Sequence, residues 1–314
     1  MQNLSPSQNW RLITEGLFGT AAARALHQAA IASPLTIEAA LEVVRRRWPH
    51  VGSRDTSAPI FIFSAGWRSG STFLQRLLMS NPEILIWGEP YRYADVVGAM
   101  AEQVKAFTAS WPKDSYFIDR HTGTGELKDE WVANLYPAMT DFLESHLAFF
   151  ERLFVAPAAA RGRRHWGFKE VALTVDHACY LRWLYPNAKF IFLYRNPYKA
   201  YQSYRRWRSW YRSWPEQPVF TAHTFGSFWR ELTADFTANS GKVGGLLIKY
   251  EDLRSHDTWR RLEEHLAMTL ADPASLSRVD GSGGPGASSY VPRLERYLLR
   301  RQVEPLGSSL GYSA

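Results

Sequence analysis

IFIFSAGWRSGSTFLQRLL, residues 60–78, holds the first clue to the architecture. An apolar run ends in a Gly/Ser loop, and the loop opens a segment with apolar residues three and four apart. Strand, loop and helix in that order build a phosphate cradle. The first helical N–H groups have no intrahelical partner, and the helix dipole adds partial positive charge there. Gly70 lets the backbone approach an anion closely, and Ser71 and Thr72 add hydroxyl donors. A nucleoside-triphosphate loop reads G-x-x-x-x-G-K-[ST]. Here Gly66 and Gly70 stand one residue too close, Ser71 fills the Lys slot, and the basic residue comes earlier, as Arg68. The loop can hold a phosphate but is poorly built for a Mg-bound triphosphate.

Outward from this stretch the texture repeats. EILIWG (83–88), AKFIFLYR (188–195) and GLLIKYEDL (245–253) are short apolar runs of strand length. Helical patterns separate them, including VDHACYLRWLYP, NPYKAYQSYRRW with Pro197 in its first turn, residues 224–240 and TWRRLEEHLAM. Alternation of this kind predicts an α/β fold: a P-loop-like central parallel sheet flanked by helices on both faces. Residues 92–155 read as mostly helical, and RGRRHWGFKEV (161–171) as the lead-in to a helix. Residues 1–57 form an N-terminal helical segment ahead of a main domain at 58–314, with Arg45, Arg46 and Arg47 on a solvated face.

The 314 residues carry a net charge of +7, 46% hydrophobic residues and an aromatic share of 14%. Such a chain buries a sizeable core, and some of its rings are expected to line a cleft. The basic balance fits an anionic ligand. A single cysteine, Cys179, excludes an intrachain disulfide or a Cys-based zinc site and reads as buried. No secretory signal and no membrane span is evident, so a cytoplasmic protein is expected. No His/Cys/carboxylate pattern at metal-ligand spacing stands out, and no metal is expected.

A second motif reshapes the first. In FIFLYRNPYKAYQSYRRW, Arg195 ends a strand and Ser203 follows eight residues later within the next helix. An arginine can clamp a phosphate bidentately while a helix hydroxyl reaches the same anion. Two phosphate sites at neighbouring strand ends suit a nucleotide phosphorylated at two separate places.

The paired motifs resemble those of the sulfotransferases that use 3′-phosphoadenosine 5′-phosphosulfate (PAPS) and release 3′,5′-adenosine bisphosphate (PAP). The likeness spans roughly residues 60–255. It implies that Arg68, Ser69, Gly70, Ser71 and Thr72 hold the 5′-phosphosulfate and that Arg195 and Ser203 hold the 3′-phosphate. Tyr250, in a strand end similar to the family's Y-E-D-L, is implied near the adenine, and the Gly-rich 281–289 loop, with Ser288 or Ser289, near the phosphates. Glu89 in the GE of LIWGEPYRY resembles the general base of the tyrosine sulfotransferases, the branch this chain is nearer to. Lys169 resembles a lysine that stabilises the transferring group together with Arg68. His121 is the alternative base.

The implied acceptor is a hydroxyl of a small molecule, glycan, lipid or tyrosyl group. Two other readings compete. One is a P-loop kinase of small molecules, which needs Mg and the missing Lys. The other is a basic nucleic-acid-binding module resting on charge and the Arg/Trp/Tyr segment 203–220.

Overall fold

A computed structural model describes residues 36–90, 95–120, 127–129, 132–207, 220–270 and 290–313. The elements in chain order are α1 (Ile37–Arg47), β1 (Ile60–Ser64), α2 (Ser71–Leu78), β2 (Ile84–Trp87), α3 (Val96–Glu102) and α4 (Met139–Phe150). Then follow β3 (His165–Glu170), α5 (Val175–Leu184), β4 (Lys189–Tyr194), α6 (Pro197–Arg206), α7 (Ala222–Asn239), β5 (Leu246–Lys249), α8 (His256–Leu266) and α9 (Arg293–Ser309). The five strands form one sheet in the order β2-β3-β1-β4-β5, and every pairing is parallel. The expected α/β class and parallel sheet are therefore present.

Strand alternation sorts the core by chemistry. In β1, Ile60 and Ile62 point one way and Phe61 and Phe63 the other. The isoleucines join Ile84, Ile86, Ile191, Leu193 and Ile248 in an aliphatic layer closed by Leu74, Leu77 and Leu78 of α2 and Leu262 and Leu266 of α8. The opposite layer is aromatic. The ring of Phe61 meets Trp166, Phe168, Tyr185 and Phe190, and Phe192 meets Phe63 and Phe236. Much of the high aromatic content is thus core of a single face, each fully buried ring contributing roughly 1.5–3 kcal/mol. His146 belongs to this layer, with Nδ1 2.6 Å from the Tyr180 hydroxyl. Burial pulls its pKa down to about 4, so it is uncharged at neutral pH. Cys179 is buried in α5 as expected.

Two strand and helix expectations need correction, and one helix was not anticipated. HWGFKE is not a lead-in but strand β3, hydrogen-bonded between β1 and β2. Gly167 and the closing Lys-Glu pair interrupt its apolar run, so the sequence pattern is weak. Residues 107–138 are not mostly helical. Where described, they run as loops and short 3₁₀ turns at Asp114–Tyr116, Ile118–Arg120 and Leu127–Asp129. Helix α9 follows a Gly/Ser-rich stretch and carries Pro305 inside it, and nothing in the patterning announced it.

The chain divides into two compact units. One comprises the described residues up to Val51 with Glu102–Phe142, the other Gly52–Ala101 with Leu143 onward. In the first, α1 is capped by Thr36, whose Oγ1 accepts from the Ala39 N–H at 3.1 Å. Arg47 is a staple rather than part of a solvated face. Its guanidinium donates to the carbonyls of Thr108 (2.7 Å) and Trp111 (2.9 Å) and to Asp114 (2.7 Å). It also lies over the Trp48 ring at 4.2 Å. Arg45 and Arg46 are exposed and pair with Glu42. Of the N-terminal helical segment expected at 1–57, residues 1–35 lie outside the described residues. Among those described, no helix is long and apolar enough to cross a membrane.

Candidate active site at the strand ends

In a parallel sheet, loops leaving the C-terminal strand ends converge on one edge, where α/β folds hold ligands. All five strand ends here bring a residue singled out above. Glu89 follows β2, Lys169 closes β3, Arg68 follows β1, Arg195 follows β4 and Tyr250 follows β5.

The loop after β1 is shaped by left-handed backbone. Gly66, Arg68 and Gly70 have φ of 81°, 62° and 95°. Glycine adopts such angles freely; Arg68 does so against a steric penalty, a kind of strain concentrated at functional sites. Gly70 is the N-cap of α2 and brings no capping side chain, so the first turn of α2 lacks a side-chain acceptor. Ser71 is buried in that turn and Thr72 is exposed. Ser69 is 1% exposed, and its Oγ has no hydrogen-bond partner among the described residues. A buried hydroxyl without a partner, beside an uncapped helix start, fits an anion.

The two phosphate-type motifs are joined directly. Arg68 Nε donates to Ser203 Oγ at 3.0 Å, and Arg195 Nη1 donates to the Arg68 carbonyl at 2.9 Å. Arg195 lies over the Tyr250 ring, its guanidinium carbon 4.3 Å from the centroid. The same ring covers Gly70, where a Cβ would come within 2.1 Å of it. Asn196 caps α6, accepting from the N–H groups of Tyr198 and Lys199 at 3.0 Å, so Pro197 stands in the first turn as expected. Burial, with the charge of Arg68 behind it, holds Arg195 below the ordinary guanidinium pKa, against the pull of Tyr250 and Glu251. An under-compensated cation beside a second one is a condition that a bound anion relieves.

Gly70→Ala is therefore expected to cost about 1–2 kcal/mol through its backbone angle alone. It should also displace the Tyr250 ring from Arg195. Thermal unfolding with and without PAP would show a lower midpoint and a smaller nucleotide-induced shift. An unchanged shift would separate the ring from the nucleotide site.

Beyond β1 and β3 the site holds an ion pair. Lys169 Nζ donates to Glu89 Oε1, with the side chains only 9% and 16% exposed. Lys169 is opposite Ile62 in the register, so it stands on the aliphatic side of the sheet. Both residues were expected to act in chemistry; their direct pairing was not legible across 80 positions.

Supporting residues were also missed. Trp229 of α7 donates its indole N–H to the Arg195 carbonyl at 2.9 Å. Glu251 accepts from the Asn196 N–H (3.1 Å) and from the Tyr312 hydroxyl (2.9 Å). Trp207 lies under the Arg68 guanidinium, 5.3 Å from its carbon. Glu251 had a signal as the acid of Y-E-D-L, and Trp207 as part of the Arg/Trp/Tyr segment; Trp229 had none. His121, residues 208–219 of the Arg/Trp/Tyr segment, and the 281–289 loop with Ser288 and Ser289 lie outside the described residues.

A parallel α/β sheet with a phosphate-type loop after its central strand is an architecture suited to a phosphorylated ligand. The sulfotransferase family model matches residues 59–272, and the chain belongs to that family. It is thus a sulfotransferase enzyme. No curated protein matches it in sequence. Among solved structures, it is similar to the sulfotransferase domain of the Synechococcus olefin synthase (19% identity, 84% of this chain and 98% of that one, TM-score 0.46). It is also similar to a sulfotransferase from Alicyclobacillus acidocaldarius (16% identity, 82% and 98%, TM-score 0.40). A third is a mouse sulfotransferase complexed with PAP (13% identity, 76% and 66%, TM-score 0.37).

Proposed function

We propose that the chain transfers the sulfuryl group of PAPS to an acceptor hydroxyl, with Glu89 as general base and without a metal. The observation that carries the reading is the junction of Arg68 with both Arg195 and Ser203, 127 and 135 residues away. It makes one cationic surface out of two phosphate-type motifs, as a nucleotide with phosphates at two positions requires.

Each residue then has a task. Arg195 and Ser203 hold the 3′-phosphate, and the Tyr250 ring beside them offers a face to the adenine. Ser69, Gly70, Ser71, Thr72 and the N-terminus of α2 hold the 5′-phosphosulfate. Glu89 takes the proton from the acceptor hydroxyl as its oxygen forms the new bond to sulfur. The bond from sulfur to the bridging oxygen of the 5′-phosphate breaks, and PAP leaves. Arg68 and Lys169 offset the charge that develops on the bridging and transferring oxygens. Lys169 also keeps the Glu89 carboxylate in place before the acceptor arrives. The acceptor is a hydroxylated small molecule, glycan, lipid or tyrosyl group.

Calorimetric titration with PAP and, separately, with ATP and Mg tests the nucleotide class. PAP is expected to bind and ATP–Mg to bind far more weakly. Equal or tighter binding of ATP–Mg would overturn the assignment. Label transfer from PAPS across a panel of hydroxylated acceptors, with and without excess chelator, tests the reaction itself.

A further inference from the structure

Helix α9 presents two faces of opposite character. Inward, Leu299, Val303 and Gly307 are buried. Its acid Glu295 also turns inward, accepting from the Tyr201 hydroxyl at 2.8 Å and pairing with Arg205 at 2.6 Å. Outward, Tyr290 just before the helix, Leu294 and Tyr297 are 60%, 67% and 55% exposed, more than any other large hydrophobic residue among those described. Arg293, Arg300 and Arg301 flank them, and Arg296 stands further round the helix toward α6; all four are exposed. Arg300 pairs with Glu304 at 2.6 Å. The side chains of Arg293, Arg296 and Arg301 make no ion pair or hydrogen bond among the described residues. A cavity of about 220 Å³ lies beside this face, between α6 and α9. Lys199, Gln202 and Arg296 line it together with Tyr198, Tyr290, Val291 and Leu299, so two cations share it with rings and aliphatic side chains.

We propose that this outward face of α9 docks the enzyme on an anionic lipid surface, with the cavity receiving a phosphate-bearing headgroup. Three features favour that occupant. Half-exposed Tyr and Leu side chains ringed by arginines suit the headgroup boundary, where rings sit at the interface and arginine stems lie along apolar surface. A second copy of the chain would meet the face with the same positive charge, which opposes self-association. The cavity is of headgroup size and shares Tyr290 with the exposed face, so a surface met by that face also meets the cavity mouth. The chain's net charge of +7 adds attraction at longer range.

The test is flotation of the full chain with vesicles of phosphatidylcholine alone or with phosphatidylserine as a third of the lipid, at low and high salt. Binding is expected only to the anionic vesicles and is expected to weaken with salt. Each arginine near such a surface is worth roughly fivefold in binding. The triple change Arg293→Gln, Arg296→Gln, Arg301→Gln is therefore expected to weaken binding on the order of 10²-fold. Leu294→Ser with Tyr297→Ser should cost at least about tenfold. Lys199→Gln alone gives an independent reading at the cavity and is expected to weaken binding about fivefold. Unchanged circular dichroism and PAP-induced thermal shift identify folded variants.

Equal binding to neutral vesicles, or none to either, overturns the proposal. So does binding that ignores the Leu294 and Tyr297 changes, which is adsorption by charge alone. Soluble glycerophosphate tests the other source of the same chemistry. If it displaces the protein at a concentration matching accessible lipid phosphate, the cavity is a free-phosphate site and lipid docking is overturned. An acidic peptide that binds as tightly, and with the same variant pattern, overturns it too.

Discussion

Replacing Glu89 by Gln is expected to lower turnover by about 10²–10⁴-fold, the usual worth of a positioned general base. Gln is the informative change because it keeps an oxygen for the Lys169 ammonium. Alanine would leave that ammonium, only 9% exposed, without its partner and would confuse lost chemistry with lost stability. Affinity for PAP should change little, since Glu89 stands at the β2 end and the phosphate-type motifs at β1 and β4. Acceptor chemistry supplies an internal control. An alcohol needs its proton removed at neutral pH, so its rate should fall most; an acidic phenol ionises more readily, so its rate should fall less. Near-normal turnover in steady-state assays would remove Glu89 as the base. Loss of folding and nucleotide binding together would show that the carboxylate serves the Lys169 pair structurally.

The second large effect concerns Arg195. Its guanidinium is held on three sides, by the Arg68 carbonyl, the Tyr250 ring and burial. A side chain so fixed has little rotamer freedom left to lose when a phosphate arrives. Charge-assisted hydrogen bonds contribute roughly 1.5–3 kcal/mol each. Arg195→Ala should therefore weaken PAP binding by about 10–150-fold for each bond lost. Ser203→Ala removes one weaker partner and should cost less. Adenosine 5′-phosphosulfate lacks the 3′-phosphate, so its weak binding should respond little to either change. Titrations of both nucleotides against both variants measure the difference. Equal losses for the two nucleotides would place Arg195 elsewhere than at the 3′-phosphate.

Legibility of this protein in its sequence followed the strength of local pattern. IFIF, KFIFLY and LLIK are unbroken β-type runs, and each is a strand of the sheet. HWGFKE carries a glycine and two charges, and its apolar residues alternate with others because its upper end faces the site. Its strand character comes from neighbours on both sides, which no local window contains. Arg68, Gly70, Arg195 and Ser203 were legible as types at fixed spacing. Their mutual contacts were not, because they depend on β1 and β4 lying side by side. Arg47 looked like one of three surface arginines; only the loop 108–114 folding back to α1 makes it a staple. Glu251 drew notice only as part of a strand-end motif, although it ties the start of α6 to the C-terminal Tyr312.

Lys169 and Glu170, the last two residues of β3, are adjacent, so the pleat sends them to opposite sides of the sheet. Lys169 stands level with Ile62 and Glu170 with Phe63. A slip of one position would exchange them, placing a carboxylate against Glu89 and a cation over the aromatic layer. The polarity of this edge of the sheet is thus written in the parity of a single strand. The bulky rings of Trp166 and Phe168, packed against Phe61 on one side only, act as the ratchet that keeps the count even.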